Sequence, residues 1–257
     1  MILKNSEILL TEPRGFCAGV ERAIEIVNRA VEIFDETIFV KHEVVHNKHV
    51  IEQLVEKGVV FVESLETVPD QSILIYSAHG VSKEISELAT KKRLKVFDAT
   101  CPLVTKVHFE IHKFASQNID VVLVGHSGHP EVEGTMGQYI SEKGKIHLIE
   151  TNDDLDKLKI ENKNIAYVTQ TTLSVDDTKS IISCLKNKFP NIIGPRKDDI
   201  CYATQNRQEA VKKILEFCNS LIVVGSQNSS NSQRLKEIGV QYGIKSYLID
   251  DINQINI

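Results

Sequence analysis

The sequence lacks the long apolar runs, the surplus of one charge and the leader segment that mark several classes of protein. No run approaches the roughly 20 apolar residues that a membrane-spanning helix needs. The net charge of −5 gives no overall basic field that would attract nucleic acid or a membrane surface. Met1 leads almost directly into an apolar segment, which leaves no room for a signal or transit peptide. We therefore predict a cytoplasmic protein that binds neither nucleic acid nor membranes.

The cysteines are too few and too widely spaced for a disulfide framework. Five cysteines, an odd number, are spread over 257 residues, which favours thiol or metal chemistry over disulfide bonds. Cys184 and Cys218 fall in helix-like segments, and we interpret both as small buried hydrophobic residues. Cys17, Cys101 and Cys201 remain as candidates for a functional site.

Apolar strand-like runs alternate with amphipathic helix-like runs from one end of the chain to the other. Strands are predicted at residues 7–11, 38–40, 59–62, 73–76, 94–97, 121–124, 165–168, 191–193 and 221–224. Many of these runs are continuously apolar, as expected of parallel strands that are covered on both faces. The pattern predicts an α/β fold. We divide the chain into three lobes near residues 97 and 195, and no linker between them is rich in proline or glycine.

The three candidate cysteines share one local context, a turn from a strand into a helix. Cys101 follows the predicted strand 94–97, and Pro102 suits the first turn of the helix after it. Apolar residues then recur at helical spacing at Val104, Val107, Ile111 and Phe114. Cys17 and Cys201 have equivalent surroundings in the other thirds of the chain, so the three could converge on one point. A thiolate at a helix N-terminus is expected to have a lowered pKa and to favour a metal.

The number of thiolates bears on the kind of metal group. A closed zinc site normally has four ligands, so three thiolates fit it poorly. They suit a four-iron cluster that leaves one iron open to a substrate oxygen and that passes electrons.

Polar loops follow the predicted strands, where ligands bind in open α/β sheets. His46, His79 and His129 lie in three such loops, and we predict that they share a cavity with the cysteines. Glu131 is the carboxylate that we expect to act as an acid or base, whereas its neighbour Glu133 is assigned to structure or solvent.

Two loops offer hydroxyl, amide and backbone N–H groups to an anion. One holds Ser229, Ser230 and Asn231 ahead of a helix predicted to begin near Ser232; the other holds Thr171 and Thr172. The combination predicts a phosphate or diphosphate pocket without lysine or arginine.

Two histidine pairs are weaker candidates. His42 to His46 matches the pattern H-E-x-x-H, which chelates zinc only on a helix. Here the pattern continues a β-branched run, and on a strand the two histidines would be about 13 Å apart. His108 and His112 do lie four residues apart on a helix, and we interpret them as part of a solvated face.

Seven motifs together resemble one family. They lie at residues 13–19, 46–48, 77–80, 98–102, 128–134, 169–172 and 228–231. The chain resembles the 4-hydroxy-3-methylbut-2-enyl diphosphate reductases from about residue 12 to its last residue. The resemblance implies three α/β lobes (13–97, 98–195 and 196–257) in a pseudo-threefold trefoil around a [4Fe–4S] cluster. Residues 1–12 would add a strand to a third lobe that is expected to be incomplete at its C-terminus.

The resemblance also implies the site residues. Cys17, Cys101 and Cys201 would be the cluster ligands, and Glu131 the proton donor. The substrate would be bound by His46, His79, His129, Thr172, Ser229, Ser230 and Asn231.

The implied reaction is the reductive dehydroxylation of an allylic diphosphate to isopentenyl and dimethylallyl diphosphate, the last step of the non-mevalonate isoprenoid pathway. No flavin or nicotinamide fingerprint is present, so a ferredoxin or flavodoxin would supply the electrons to a monomeric enzyme. Two other classes remain open. One is an iron–sulfur hydro-lyase without net redox chemistry, and the other is a non-catalytic thiolate-metal binding module.

Overall fold

The structure is a computed structural model, which describes residues 7–255. The first part of the chain builds a four-stranded parallel sheet in the order β2-β1-β3-β4. Its elements are α1 (Ala18–Ile33), β1 (Ile38–Lys41), α2 (Lys48–Glu56), β2 (Val60–Val62), β3 (Ile73–Tyr76), α3 (Lys83–Lys91) and β4 (Lys95–Asp98). Ile73 and Ile75 pack on one face of the sheet, and Leu74 and Tyr76 pack on the other. Both faces of β3 are therefore covered, which explains its continuous apolar run.

The second part forms a three-stranded parallel sheet in the order β6-β5-β7. Its elements are α4 (Pro102–Ser116), β5 (Asp120–Val124), α5 (Pro130–Met136), β6 (Ile146–Ile149), α6 (Asn152–Lys157), β7 (Ile165–Thr169) and α7 (Val175–Lys188). Val122 and Val124 face one hydrophobic cluster, while Val121 and Leu123 face another. The sheet is again sandwiched between helices.

The third part contains two parallel strands in its described residues. Its elements are α8 (Tyr202–Leu215), β8 (Ser220–Val224), α9 (Ser230–Gln241) and β9 (Lys245–Ile249). Leu221 and Val223 pack against the helices, whereas Ile222 and Val224 are 52% and 71% exposed on the other face. Three parallel sheets with helices packed on them confirm the α/β prediction, and the division into lobes at residues 97 and 195 stays a prediction.

Two predicted strands are wrong. Residues 7–11 form no strand in the described chain, and Ile8 and Leu10 are 83% and 65% exposed. An apolar segment becomes a strand only when a neighbour accepts its backbone hydrogen bonds, and no such bond from residues 7–11 exists within the described residues. Residues 1–6 of the proposed N-terminal strand lie outside the described residues. The predicted strand 191–193 is reduced to a single bridge between Ala166 and Ile193.

The helices that follow the candidate cysteines begin where the sequence predicts. Cys17, Cys101 and Cys201 are the N-cap residues of α1, α4 and α8. Cys184 lies on α7 and Cys218 lies beyond the end of α8; both are partly exposed rather than buried. Among residues 7–255, no helix combines the length and apolarity needed to cross a membrane.

Candidate functional site

Two of the three N-cap cysteines meet beside one small residue, Gly19. A Cβ placed on Gly19, in the first turn of α1, would lie 2.8 Å from Sγ of Cys101 and 3.9 Å from Sγ of Cys17. Only a residue without a side chain leaves this space between the two thiols. The structure therefore brings Cys17 and Cys101, the N-caps of two different helices, together at a cradle beside Gly19.

Burial changes the pKa of Cys101 and Cys201 more than the helix N-termini do. Burial raises the pKa of Cys101, although the backbone N–H groups of Leu103 and Val104 act in the opposite direction. The pKa of Cys201 is also raised by burial, against hydrogen bonds from the side chain and N–H of Thr204. The predicted lowering is wrong for these two thiols because desolvation of the thiolate outweighs the N–H dipoles.

Two backbone hydrogen bonds connect the cysteines to the polar loops. The N–H of Cys101 donates to the carbonyl of Ala78, next to His79, at 3.0 Å. The N–H of Cys201 donates to the carbonyl of Thr171, also at 3.0 Å. The cysteine centre and the polar loops therefore form one continuous site.

The three strand-end histidines form a packed triad. The rings of His46 and His79 are stacked with centroids 4.2 Å apart, and His129 meets them edge-on at 5.3 and 5.6 Å. Burial holds the pKa of His79 well below its usual range, and burial followed by the neighbouring His46 lowers that of His129 to about 3. Burial also lowers the pKa of His46. All three rings are therefore neutral near pH 7 and pack together, whereas the cavity that they are predicted to share with the cysteines stays a prediction.

Hydrogen bonds select the tautomers of two of these rings. Nδ1 of His129 accepts the N–H of Glu131 at 3.1 Å, so the proton of the neutral ring is on Nε2. Nδ1 of His46 lies 3.3 Å from a carboxylate oxygen of Glu43 and carries the proton there. Nε2 of His46 and Nε2 of His79 are buried and have no hydrogen-bond partner within the described chain. Buried polar atoms of this kind normally have a partner, so these point to a ligand site.

Glu131 is buried in the first turn of α5, with 4% of its surface exposed. Its carboxylate accepts the backbone N–H of Thr171 at 2.7 Å and the hydroxyl of the same residue at 2.9 Å. Burial raises the pKa of Glu131 to about 7, against these two bonds. Glu133 is exposed on the same helix. Of these two glutamates, only Glu131 therefore has the environment of a carboxylic acid that can give up a proton near neutral pH.

The serine turn (residues 229–231) contacts the threonine turn (residues 171–172). The hydroxyl of Ser230 donates to the carbonyl of Thr172 at 3.0 Å. Ser229 caps α9 by accepting the N–H of Ser232, so this helix begins two residues earlier than predicted. Oδ1 of Asn231 is buried without a hydrogen-bond partner among residues 7–255. These turns thus lie beside one another, and Asn231 has an acceptor left for a ligand.

Sequence reasoning missed one carboxylate that connects two of these loops. Glu43 contacts His46 and also accepts a hydrogen bond from the amide of Asn228 at 2.8 Å. Asn228 precedes the serine turn, so Glu43 joins the first sheet's histidine loop to the third sheet's anion loop. Both residues lie in loops that follow strands, but they are 185 positions apart, so only their contact in the fold reveals this role.

The interpretation of His108 as a solvated residue is wrong. Its side chain is buried, and burial lowers its pKa to about 4. It packs beneath the loop of His79, where a Cβ on Gly80 would lie 2.7 Å from its Cε1. His112 is exposed, as expected. The H-E-x-x-H motif does not lie on a helix: His42 follows β1 in a left-handed conformation with φ of 61°, and α2 begins only at Lys48.

The arrangement does not match a site for a single ion. Within residues 7–255, no three histidine, cysteine or carboxylate side chains lie close enough to hold one metal ion. A cluster is held at several iron corners, and soft thiolates are its usual ligands. The cradle at Gly19 and the three N-cap thiols fit such a group.

The fold and the site define an α/β protein in which a thiol centre adjoins a buried acid, a histidine triad and two turns rich in hydroxyl groups. The sequence profile of the family described as "LytB protein" matches residues 8–257. The chain belongs to this family.

Named relatives give the same result. A 4-hydroxy-3-methylbut-2-enyl diphosphate reductase of Methylococcus capsulatus is 60% identical over 250 residues, which cover 97% of this chain and 80% of that protein. One from Nitrosomonas europaea is 57% identical over 96% of this chain and 77% of that protein. A solved structure, the E-1-hydroxy-2-methyl-but-2-enyl-4-diphosphate reductase from Plasmodium falciparum, has a TM-score of 0.91 and 45% identity, covering 95% of this chain and 76% of that one.

Proposed function

We propose that this protein reduces 4-hydroxy-3-methylbut-2-enyl diphosphate to isopentenyl and dimethylallyl diphosphate, the last step of the non-mevalonate pathway. The observation that carries the proposal is the contact of three features in one site. A thiol centre lies against the threonine loop that holds the buried Glu131, and Glu131 adjoins the histidine triad. Reduction, protonation and anion binding are the three operations that this reaction needs.

Cys17, Cys101 and Cys201 would hold a [4Fe–4S] cluster. When bound, such a cluster supplies electrons one at a time and an open iron that polarises the substrate's hydroxyl oxygen. The hydroxyl of Thr204 lies 3.0 Å from Sγ of Cys201 and would tune that ligand by hydrogen bonding.

The diphosphate would occupy the polar pocket. Donors would come from Nε2 of His129, the hydroxyls of Ser229 and Thr172 and the amide of Asn231, and Ser230 would donate after releasing its bond to the carbonyl of Thr172. His79 and His46 present buried Nε2 atoms that lack a partner in the described chain, and protonation would turn both into donors. This set binds an anion by hydrogen bonds and by charge acquired on binding.

Glu131 would deliver protons to the leaving oxygen. The reaction consumes two electrons and two protons: the carbon–oxygen bond breaks, the oxygen leaves as water, and a new carbon–hydrogen bond forms at either end of the allyl fragment. A pKa of about 7 lets Glu131 hold its proton near neutral pH and still release it. The hydroxyl of Thr171 fixes the carboxyl group in place.

The electrons would come from a ferredoxin or flavodoxin, and the protein is proposed to act as a cytoplasmic monomer.

The experiment is anaerobic reconstitution with iron and sulfide, followed by turnover with reduced methyl viologen and the allylic diphosphate. We expect about four irons per chain and formation of both isomeric products. Water loss without consumption of reductant would instead identify a hydro-lyase. A zinc-containing protein with no turnover would identify a thiolate-metal binding module.

A further inference from the structure

Each of the three cysteine helices carries a cation one turn beyond its cysteine. Arg22 follows Cys17 on α1, Lys106 follows Cys101 on α4, and Arg207 follows Cys201 on α8. None of the three contacts the histidines, Glu131 or the serine turn, so the reaction described above does not use them.

Each cation binds the segment that leads to the next cysteine. Arg22 donates to the carbonyls of Asp98 and Thr100 at 3.2 and 3.1 Å, directly before Cys101. Lys106 donates at 2.8 Å to the carbonyl of Lys197 and to the buried carboxylate of Asp199, before Cys201. Arg207 donates to the carbonyl of Gly15 at 2.8 Å, before Cys17. Each link thus connects one cysteine-capped helix to the segment just before another: α1 to the segment before α4, α4 to the segment before α8, and α8 to the segment before α1.

We propose that Arg22, Lys106 and Arg207 form a closed ring that positions the three cysteines for their shared group. The three cysteines cap three different helices, α1, α4 and α8, so no single helix fixes the distance between two thiols. The ring fixes all three distances because each link joins two cysteine-bearing elements. This inference rests on the proposed cluster, and the three cations act as positioning residues.

The ring also has an electrostatic consequence. Arg22 and Arg207 are bound to carbonyl oxygens rather than to carboxylates, so their charges are not neutralised by these contacts. Positive charge beside a redox group favours its reduced form. Removing one arginine is expected to lower the reduction potential as well as to loosen the cysteines.

The test compares Arg22→Met, Lys106→Met and Arg207→Met with Arg29→Met, an exposed position on α1 that pairs with Glu25. Each protein is reconstituted, and the rate of cluster loss to a chelator is followed by absorbance. We expect about tenfold faster loss in each ring variant and an unchanged rate in Arg29→Met. Thermal unfolding of the metal-free proteins identifies any variant that fails to fold, and Arg22→Lys and Lys106→Arg, which keep the charge, should restore the slow rate.

The ring also predicts non-additivity, which separates it from three independent contacts. Once one link is lost the ring is open, so the double variant Arg22→Met/Arg207→Met should lose its cluster little faster than either single variant. Wild-type rates in the single variants, or effects that multiply in the double variant, would overturn the proposal. A wild-type protein that binds a cluster but fails to turn over would count against the proposed function and leave the ring measurable.

A separate observation concerns the outer surface of α4. A groove of about 520 Å³ runs between α4 and residues 193–196, and its wall includes Pro102, the residue next to Cys101. Phe109 and Ile193 line it and are 70% and 45% exposed. Lys106, Lys113 and Arg196 line it together with one carboxylate, Glu110; because Lys106 also pairs with the buried Asp199, the surplus of positive charge comes from Lys113 and Arg196. A groove with a surplus of positive charge on a chain of net charge −5 complements an acidic partner.

We infer that this groove docks the acidic one-electron carrier that the proposed function requires. Electron transfer slows steeply with distance, and the groove adjoins a cluster ligand through a single peptide bond. An exposed aromatic ring flanked by cations is typical of small transient interfaces. The inference depends on the proposed function for its partner, but binding is measurable without turnover.

The test compares Lys113→Glu/Arg196→Glu with Lys159→Glu/Lys163→Glu, an equal charge change at exposed positions away from the groove. An acidic ferredoxin serves as one donor and reduced methyl viologen as the other. We expect the groove variant to raise the KM for ferredoxin roughly tenfold or more, with viologen-driven turnover unchanged. Calorimetric titration with oxidised ferredoxin at low salt should show the same loss of affinity. Equal ferredoxin affinity in the two double variants would overturn the inference.

Discussion

Gly80 and His108 are in direct contact, although one belongs to the loop after β3 and the other to α4. Gly80 has a φ of 74°, and a Cβ on it would lie 2.7 Å from Cε1 of the buried imidazole. His108 therefore supports the loop that carries His79 into the triad. This contact makes the loop's position depend on a helix that also carries a candidate cluster ligand.

We predict that Gly80→Ala weakens substrate binding. The new methyl group must displace either His108 or the loop, which moves His79 and raises the substrate KM about tenfold, because losing one charged hydrogen bond costs about 1.5–3 kcal/mol. Gly58→Ala is the matched control, since Gly58 has a φ of 88° with no atom within 4 Å of its Cβ position. It loses the same backbone freedom without a clash. Identical KM values in the two variants would show that the contact with His108 does not position His79.

The second prediction concerns proton delivery. Glu131→Gln keeps the side chain's shape but removes its acidic proton, so turnover should fall about 10²–10⁴-fold. Substrate affinity and reduction of the protein by dithionite should persist. The control is Glu133→Gln, two residues along the same helix and exposed. Near-normal turnover of Glu131→Gln together with a slow Glu133→Gln would reverse the assignment.

The third prediction concerns stability and pH in the metal-free protein. Folding raises the pKa of Glu131 from 4.5 to about 7, so the folded state holds its proton more tightly than the unfolded state. Below pH 4.5 Glu131 is protonated in both the folded and the unfolded state, and its burial costs no stability. As the pH rises to about 7 the unfolded state releases the proton first, so about 3 kcal/mol of stability is lost.

Urea unfolding at a series of pH values measures this loss. The free energy of unfolding of the wild type should fall relative to Glu131→Gln between pH 4.5 and 7, and the difference should be constant above that range. Glu133→Gln should follow the wild type throughout. Parallel curves for the wild type and Glu131→Gln would mean that Glu131 is not buried as a carboxylic acid.

The fourth prediction concerns the protonation of the histidine triad. The pKa values of His46, His79 and His129 are lowered by burial, so the rings are neutral near pH 7 until an anion arrives. Binding of inorganic diphosphate should therefore take up protons, most of all at His46, whose ring proton is already directed at Glu43.

Calorimetry in buffers of different ionisation enthalpy gives the number of protons taken up at saturating diphosphate. We expect it to be smaller for His46→Asn than for the wild type. His112→Asn, an exposed histidine on α4, is the control and should behave as the wild type. His108 is unsuitable as a control because it supports the triad's loop. Equal proton uptake in His46→Asn and the wild type would contradict the assignment.

Local patterns in the sequence are sufficient to predict the elements that carry the site. The cysteine turns, the strand-end histidines and the buried Glu131 follow from spacing and from the rule that parallel strands share one functional edge. The burial of His108 is also predictable from the sequence, because His108 lies four residues after Val104 and three before Ile111 on the apolar face of α4. The four-residue spacing between His108 and His112 instead suggests that both lie on the solvated face, which is true only of His112.

Other features depend on partners that lie far away in the sequence. Residues 7–11 have the composition of a strand but have no backbone partner within the described chain. Arg22, Lys106 and Arg207 look like ordinary polar helix residues, since their partners are 76 to 192 positions away. Contacts of this range leave no periodic signal, so only the fold reveals them.

The placement of the three candidate cysteines on three different helices constrains how the protein is made. Cys17 and Cys201 are 184 positions apart, so at 5–20 residues per second about 10–40 s of synthesis separate them. A nascent chain exposes one thiol, then two, long before the third exists. Delivery of the proposed cluster would therefore have to wait until α8 has been made, with the chain kept reduced during that interval.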